Sequence, residues 1–256
     1  MSIPHTILAI AFLSALAGCA MTRVAWLLLR PPLSPLQNFL HIAATLLTRI
    51  QWRAELPAWP VPAGQGVVII SNHRSSVDPF FLQVLTRRVT HWMVAREYFE
   101  NIAFGWFLRA VEAIPTNRGG IDTAATKQAM RFAQQGDIVG MFPEGRINMT
   151  DDVLLPGRPG AAMVALRAQV PILPCYIEGS PYDAVPWSPF FMRARVKIRF
   201  GAPIHLSADD RSDAVNERDS EIAKRLMVDC LREICRLGSR PDFEPRLAGR
   251  RWKPSQ

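Results

Sequence analysis

The stretch GVVIISNHRSSVDPFF, residues 66–81, joins two kinds of local pattern. Val67 to Ile70, closed by Ser71, is an unbroken apolar run with no polar alternation. Such a run fits a strand buried on both faces, as in a parallel sheet covered by helices. Asp78-Pro79 then precedes Phe80, Phe81 and Leu82. An Asp followed by Pro before an apolar run reads as a helix start, with Asp78 as N-cap and Pro79 at the first helical position. The turn between strand and helix carries His73, five residues before Asp78.

Outward from this unit, strand and helix signals alternate. Further strands are expected at 91–95, 138–142, 172–177 and 195–200. Helices are expected at 79–86, 97–110, 121–135, 159–168 and 213–237. This alternation predicts an α/β fold: a mixed, largely parallel central sheet flanked by helices, with an N-terminal membrane-associated helical segment. The expected organisation is 1–60 as membrane-anchoring helices, 61–240 as the α/β domain and 241–256 as a basic tail.

The first segment, Thr6 to Leu29, is almost continuously apolar. A bilayer-spanning helix needs about 20 such residues. An anchor, a cleaved export signal ending at Leu16-Ala17-Gly18-Cys19 and a buried helix all fit this run. Export signals carry basic residues before the apolar core. Here Arg23, Arg30, Arg49 and Arg53 lie within it or after it. That bias favours an anchor with the main domain on the cytoplasmic face, the inner membrane in a bacterium. A second apolar stripe runs from Leu33 through Leu36, Phe39, Leu40 and Leu46 to Ile50, with Trp52 and Trp59 beyond. It suits either a membrane interface or packing on the main domain.

Net charge is +8, and only four of the 30 basic residues are lysine. Arginine binds phosphate bidentately, so phosphate-bearing partners are expected. The four cysteines form no CxxC pair, which gives no metal site and no disulfide framework. No nucleic-acid recognition motif accompanies the charge.

Three polar clusters fall near the ends of expected elements, where α/β sheets bind ligands. On spacing alone, His73 and Asp78 are either a base with its orienting carboxylate or a loop histidine beside a helix cap. Ser75 and Ser76 lie between them, but no GxSxG elbow supports a serine nucleophile. Ile114-Pro-Thr-Asn-Arg118-Gly leads into a helix and reads as an anion site or as a polar loop. Phe142-Pro-Glu144-Gly145-Arg146 follows a strand. Glu144 there is a candidate for substrate hydroxyls, and Arg146 and Arg158 are candidates for phosphate. Val170-Pro171-Ile-Leu-Pro enters a strand and reads as structural.

In this order and at this spacing, SNHRSSVD, IPTNRG, FPEGR and VPILP resemble the four sequence blocks of the 1-acylglycerol-3-phosphate acyltransferase family. The resemblance covers residues 66–201. It implies direct transfer of a fatty acyl group from acyl-CoA or acyl-carrier protein to a lyso-lipid hydroxyl, giving phosphatidic acid from 1-acylglycerol-3-phosphate. It makes His73 the general base and Asp78 its orienter. Arg118 would hold the acceptor phosphate, Glu144 and Gly145 would bind the acceptor, and Pro171 would shape the acyl site. No cofactor or metal is implied; the partners are membrane lipid and the thioester donor, without nucleic acid. Two departures are visible: Arg146 follows Gly145 directly, where many members insert a threonine, and Asn117 stands where Asp is frequent. These departures keep another lyso-lipid acceptor in view. A non-catalytic membrane lipid-binding protein is the alternative from another class.

Overall fold

A computed structural model describes residues 3–117, 122–206 and 217–249. Helix α1 (Ile3–Leu28) and helix α2 (Pro35–Leu46) precede the sheet domain. The domain then runs β1 (Val67–Ser71), α3 (Asp78–Gln83), β2 (Thr90–Ala95), α4 (Glu97–Glu100), α5 (Ile102–Ala110) and β3 (Ile114–Thr116). It continues with α6 (Thr123–Gln134), β4 (Ile138–Met141), α7 (Gly160–Ala168), β5 (Ile172–Glu178), β6 (Lys197–Phe200) and α8 (Glu217–Leu237).

The strand order is β3-β2-β4-β1-β5-β6. The first five strands are parallel, and β6 alone runs antiparallel, on β5. The central strand is therefore the one whose apolar run was unbroken. Val68 and Ile70 face a layer built from α6, α7 and α8, while Val67 and Ile69 face Trp52, Phe81, Leu82 and Trp92. Both faces of β1 are dry, which is why its sequence shows no alternation. Alanines 125, 129 and 133 of α6 and alanines 161, 165 and 168 of α7 are buried in one cluster. Small residues at helical spacing let these two helices lie close over the sheet.

Several expectations change in detail. Residues 114–116, read as part of a loop, form β3, an edge strand too short to show a period. The helix expected at 97–110 breaks at Asn101, whose backbone is extended. Asp78 is not the cap of α3. Val77 takes that position and Asp78 is the first helical residue, so its carboxylate is free to turn back into the preceding loop. Trp52 does not face a membrane: it is fully buried, donates its indole N–H to Pro189 O at 2.9 Å and packs edge-on against Phe81. Trp59 packs against Phe200. The tail is partly integrated. Gly157 and Leu247 form a parallel bridge, and Phe243 and Leu247 pack on the main core. Arg250 onward lies outside the described residues.

The second N-terminal segment packs on the domain along one side and leaves apolar side chains exposed along the other. Leu33, Asn38, Ala44 and Thr48 are buried, whereas Leu36, Phe39, Leu46 and Ile50 are exposed. Asn38 donates to the carbonyls of Leu28, Arg30 and Leu33 and accepts from Arg87 at 2.7 Å. These bonds tie the turn between α1 and α2 to the domain. Among the described residues, no helix is long and apolar enough to cross a membrane.

Candidate active site

Five parallel strands send their following loops to one end of the sheet. His73 follows β1, Glu144 follows β4, Ser180 follows β5, Arg96 follows β2 and Asn117 follows β3. The order β2-β4-β1-β5 brings the first three loops together at the centre.

At that centre, His73 Nδ1 lies 2.9 Å from Asp78 Oδ2. Asp78 is fully buried, and His73 keeps 16% side-chain exposure. The same Oδ2 accepts the backbone N–H groups of Arg74 at 2.7 Å and Ser75 at 2.8 Å. Oδ1 accepts the Ser180 hydroxyl at 2.6 Å. A carboxylate held by this many donors has a fixed position. Its bond to Nδ1 defines that nitrogen as the protonated one and leaves Nε2 as the basic one. The imidazole stacks on Phe142 with ring centroids 3.9 Å apart and planes 10° off parallel.

Glu144 acts on the same loop from below. It is buried, accepting His73 N–H at 2.7 Å on one oxygen and Leu155 N–H at 2.8 Å on the other. Burial pushes its carboxyl up to about 8, opposed by these two N–H groups. Each oxygen takes one backbone N–H, so Glu144 holds the His73 loop in place. Gly145 has φ 69°, a turn conformation that glycine adopts without strain, and its N–H closes the turn on Phe142 O. Arg146 is half-buried, and no side-chain partner for it occurs among the described residues. Arg158 donates its backbone N–H to Pro143 O at 2.9 Å, placing it beside the same turn.

Pro171 is not brought to this end. It is buried just before β5, and β5 reaches the level of Ser71 only at Cys175. Four residues at ~3.3 Å each separate Pro171 from that level by about 13 Å. Pro171 shapes the amino end of the sheet, where its carbonyl accepts Val68 N–H. Arg118 lies outside the described residues. Its neighbour Asn117 is described: Arg96 Nε donates to Asn117 Oδ1 at 3.1 Å, and Asn117 N–H donates to Asp122 Oδ2 at 3.0 Å. Backbone N–H groups of Ala125 and Asn117, with Arg96 nearby, hold Asp122 below the usual carboxylate range.

Sequence reasoning missed Asn72, Ser180 and Arg96. Asn72 is buried and clamps Ile177 by accepting its N–H and donating to its carbonyl, so the ends of β1 and β5 cannot part. Ser75 and Ser76 donate to the carbonyls of Pro181 and Pro186. Both serines are ties to the 179–186 loop and not nucleophiles. The available signal for Arg96 and Ser180 was position: each stands just past the carboxyl end of a parallel strand.

Residues 57–178 match the family model described as Acyltransferase. A 1-acyl-sn-glycerol-3-phosphate acyltransferase of Bacillus subtilis is 28% identical over 65% of this chain and 85% of its own length. One of Streptococcus pneumoniae is 27% identical over 64% of this chain and 59% of its own length. The crystal structure of the 1-acyl-sn-glycerophosphate acyltransferase of Thermotoga maritima shares the fold at TM-score 0.52 and 20% identity. That likeness covers 73% of this chain and 72% of the other.

Proposed function

The chain belongs to the acyltransferase family through residues 57–178, and from that premise we propose that it acylates 1-acylglycerol-3-phosphate to phosphatidic acid at a membrane's cytoplasmic face. The observation that carries this reading is the His73–Asp78 pair, 2.9 Å apart at the carboxyl ends of the central strands. His73 Nε2 takes the proton of the acceptor hydroxyl as its oxygen attacks the thioester carbonyl. The C–O bond forms, the C–S bond breaks, and the thiolate of CoA or acyl-carrier protein leaves with the proton from the imidazolium. The buried Asp78 carboxylate balances the charge on the ring during the transfer. The transfer is direct in this reading, and Ser75 and Ser76, engaged with backbone carbonyls, are not offered as nucleophiles.

The acceptor phosphate is assigned to Arg96 and Arg146, past the β2 and β4 ends, and to Arg118 of the family motif. The N-terminal helices rest on the bilayer through Leu36, Phe39, Leu46 and Ile50, whose exposure has no use in water. The test is a panel of labelled lyso-lipids offered with palmitoyl and oleoyl thioesters of CoA and of acyl-carrier protein. Phosphatidic acid from 1-acylglycerol-3-phosphate is the expected product. Acylation of a different lyso-lipid alone would move the assignment to that acceptor.

A further inference from the structure

The segments 50–53 and 191–195 run side by side at the β6 edge. Gln51 Nε2 donates to Met192 O at 3.2 Å, and the N–H groups of Ala194 and Val196 donate to Gln51 O and Trp52 O. Between them lies an open cleft of about 370 Å³ lined by Arg53, Arg193, Ala194 and Arg195. None of the three guanidinium groups has a side-chain partner among the described residues. The nearby Glu55 is already taken by Lys197 at 3.3 Å. The three exposed arginines line one cleft, and like charges gathered there favour an anion over a neutral ligand. Arg53 is also held at φ 40°, a conformation that arginine rarely adopts.

The rim of the cleft indicates which anion. Ile50 and Phe191, adjacent to the paired residues Gln51 and Met192, are 70% and 83% exposed. An arginine cleft with bulky apolar side chains standing out beside it matches the headgroup layer of a bilayer, phosphate below and acyl chain alongside. It lies at the β5–β6 side of the sheet, whereas Arg96 and Arg146, assigned to the acceptor, follow β2 and β4 on the other side of β1. We infer that Arg53, Arg193 and Arg195 form a separate binding site for the phosphate of an anionic membrane phospholipid, which fixes the tilt of the enzyme on the bilayer. This inference rests on the membrane-facing reading above.

The experiment uses the full chain in zwitterionic detergent, titrated calorimetrically with dihexanoyl phosphatidylglycerol, dihexanoyl phosphatidylcholine, inorganic phosphate and coenzyme A. Phosphatidylglycerol should bind more tightly than phosphatidylcholine. Arg193→Gln and Arg195→Gln should each weaken it about fivefold and the double variant about 25-fold, following the ~1 kcal/mol per basic residue at an anionic surface. Phe191→Ser should weaken phosphatidylglycerol and leave inorganic phosphate unchanged. Acyl transfer by the double variant in detergent should stay within twofold of the parent, so failure of the site and failure of the proposed activity read out separately. Unchanged phosphatidylglycerol binding in the double variant overturns the inference. So does loss of coenzyme A binding with a raised KM for the thioester, which would assign the cleft to the donor. Both substitutions are at exposed positions, and the single variants serve if the double variant melts early.

Discussion

Replacing Asp78 by Asn removes one charge and almost nothing else. The amide oxygen can occupy the place of Oδ2 and accept from His73, Arg74 and Ser75. The amide nitrogen then faces Ser180, whose hydroxyl can accept as well as donate. The loop geometry should therefore survive, while the imidazolium formed in the transition state loses its counter-charge. At a charge separation of ~4 Å and an effective dielectric near 20, that interaction is worth about 4 kcal/mol. The 16% exposure of His73 screens part of it. A fall in kcat of roughly 10²–10³ is expected, with KM for both substrates within about threefold. Steady-state acyl transfer measured beside the urea midpoint is the assay. Asp78→Asn retaining a third or more of the parent kcat, while folded, would refute the charge-balancing role. An equal loss accompanied by a collapsed midpoint would show a structural carboxylate instead.

Other perturbations follow from the same geometry. Glu144 has its folded pKa, about 8, above its ordinary value of 4.5. Between those pH values the native state keeps a proton that the unfolded chain has released, so stability falls as pH rises through the window. Glu144→Gln should flatten that slope, seen as urea midpoints at pH 5 and pH 8 that lie closer together than the parent's. Gly66→Ala would drive a methyl into the backbone carbonyl of Ala133, which cannot rotate away, and should lower stability by about 1–3 kcal/mol in thermal melts. Arg146→Gln should raise KM for the lyso-lipid phosphate about tenfold or more, since a hydrogen bond to a charged group is worth ~1.5–3 kcal/mol, with kcat largely kept. A normal KM in that variant would take Arg146 out of the acceptor site.

Legibility in the sequence followed the strength of the local physics. β1 was plain because burial on both faces leaves only apolar residues, and the parallel sheet followed from its alternation with helices. The His73–Asp78 contact was visible only as a possibility. Its realisation depends on Asp78 being the first helical residue with Val77 as cap, a one-residue shift that redirects the carboxylate into the loop. For Trp52 the sequence left two readings open, because tryptophan beside arginines has the composition of a membrane interface as well as of a buried contact. Its burial depends on Phe81 and Phe190, which are remote in sequence. The hold of Glu144 on the His73 loop was not legible, because nothing local shows that Leu155 N–H arrives at its second oxygen. Pro171 was grouped with the site by its motif, and only the register of β5 on β1 shows it at the opposite end. The clamp of Asn72 on Ile177 spans more than a hundred residues of sequence, beyond the reach of any local pattern.

The most direct test is phosphatidic acid formation by the parent and by His73→Ala, with labelled 1-acylglycerol-3-phosphate and a palmitoyl or oleoyl thioester. A positioned general base contributes about 10²–10⁴-fold, so the folded variant should be slower by at least a hundredfold. Transfer by folded His73→Ala at close to the parent rate would contradict the assignment of the His73–Asp78 pair as the catalytic base and its orienter.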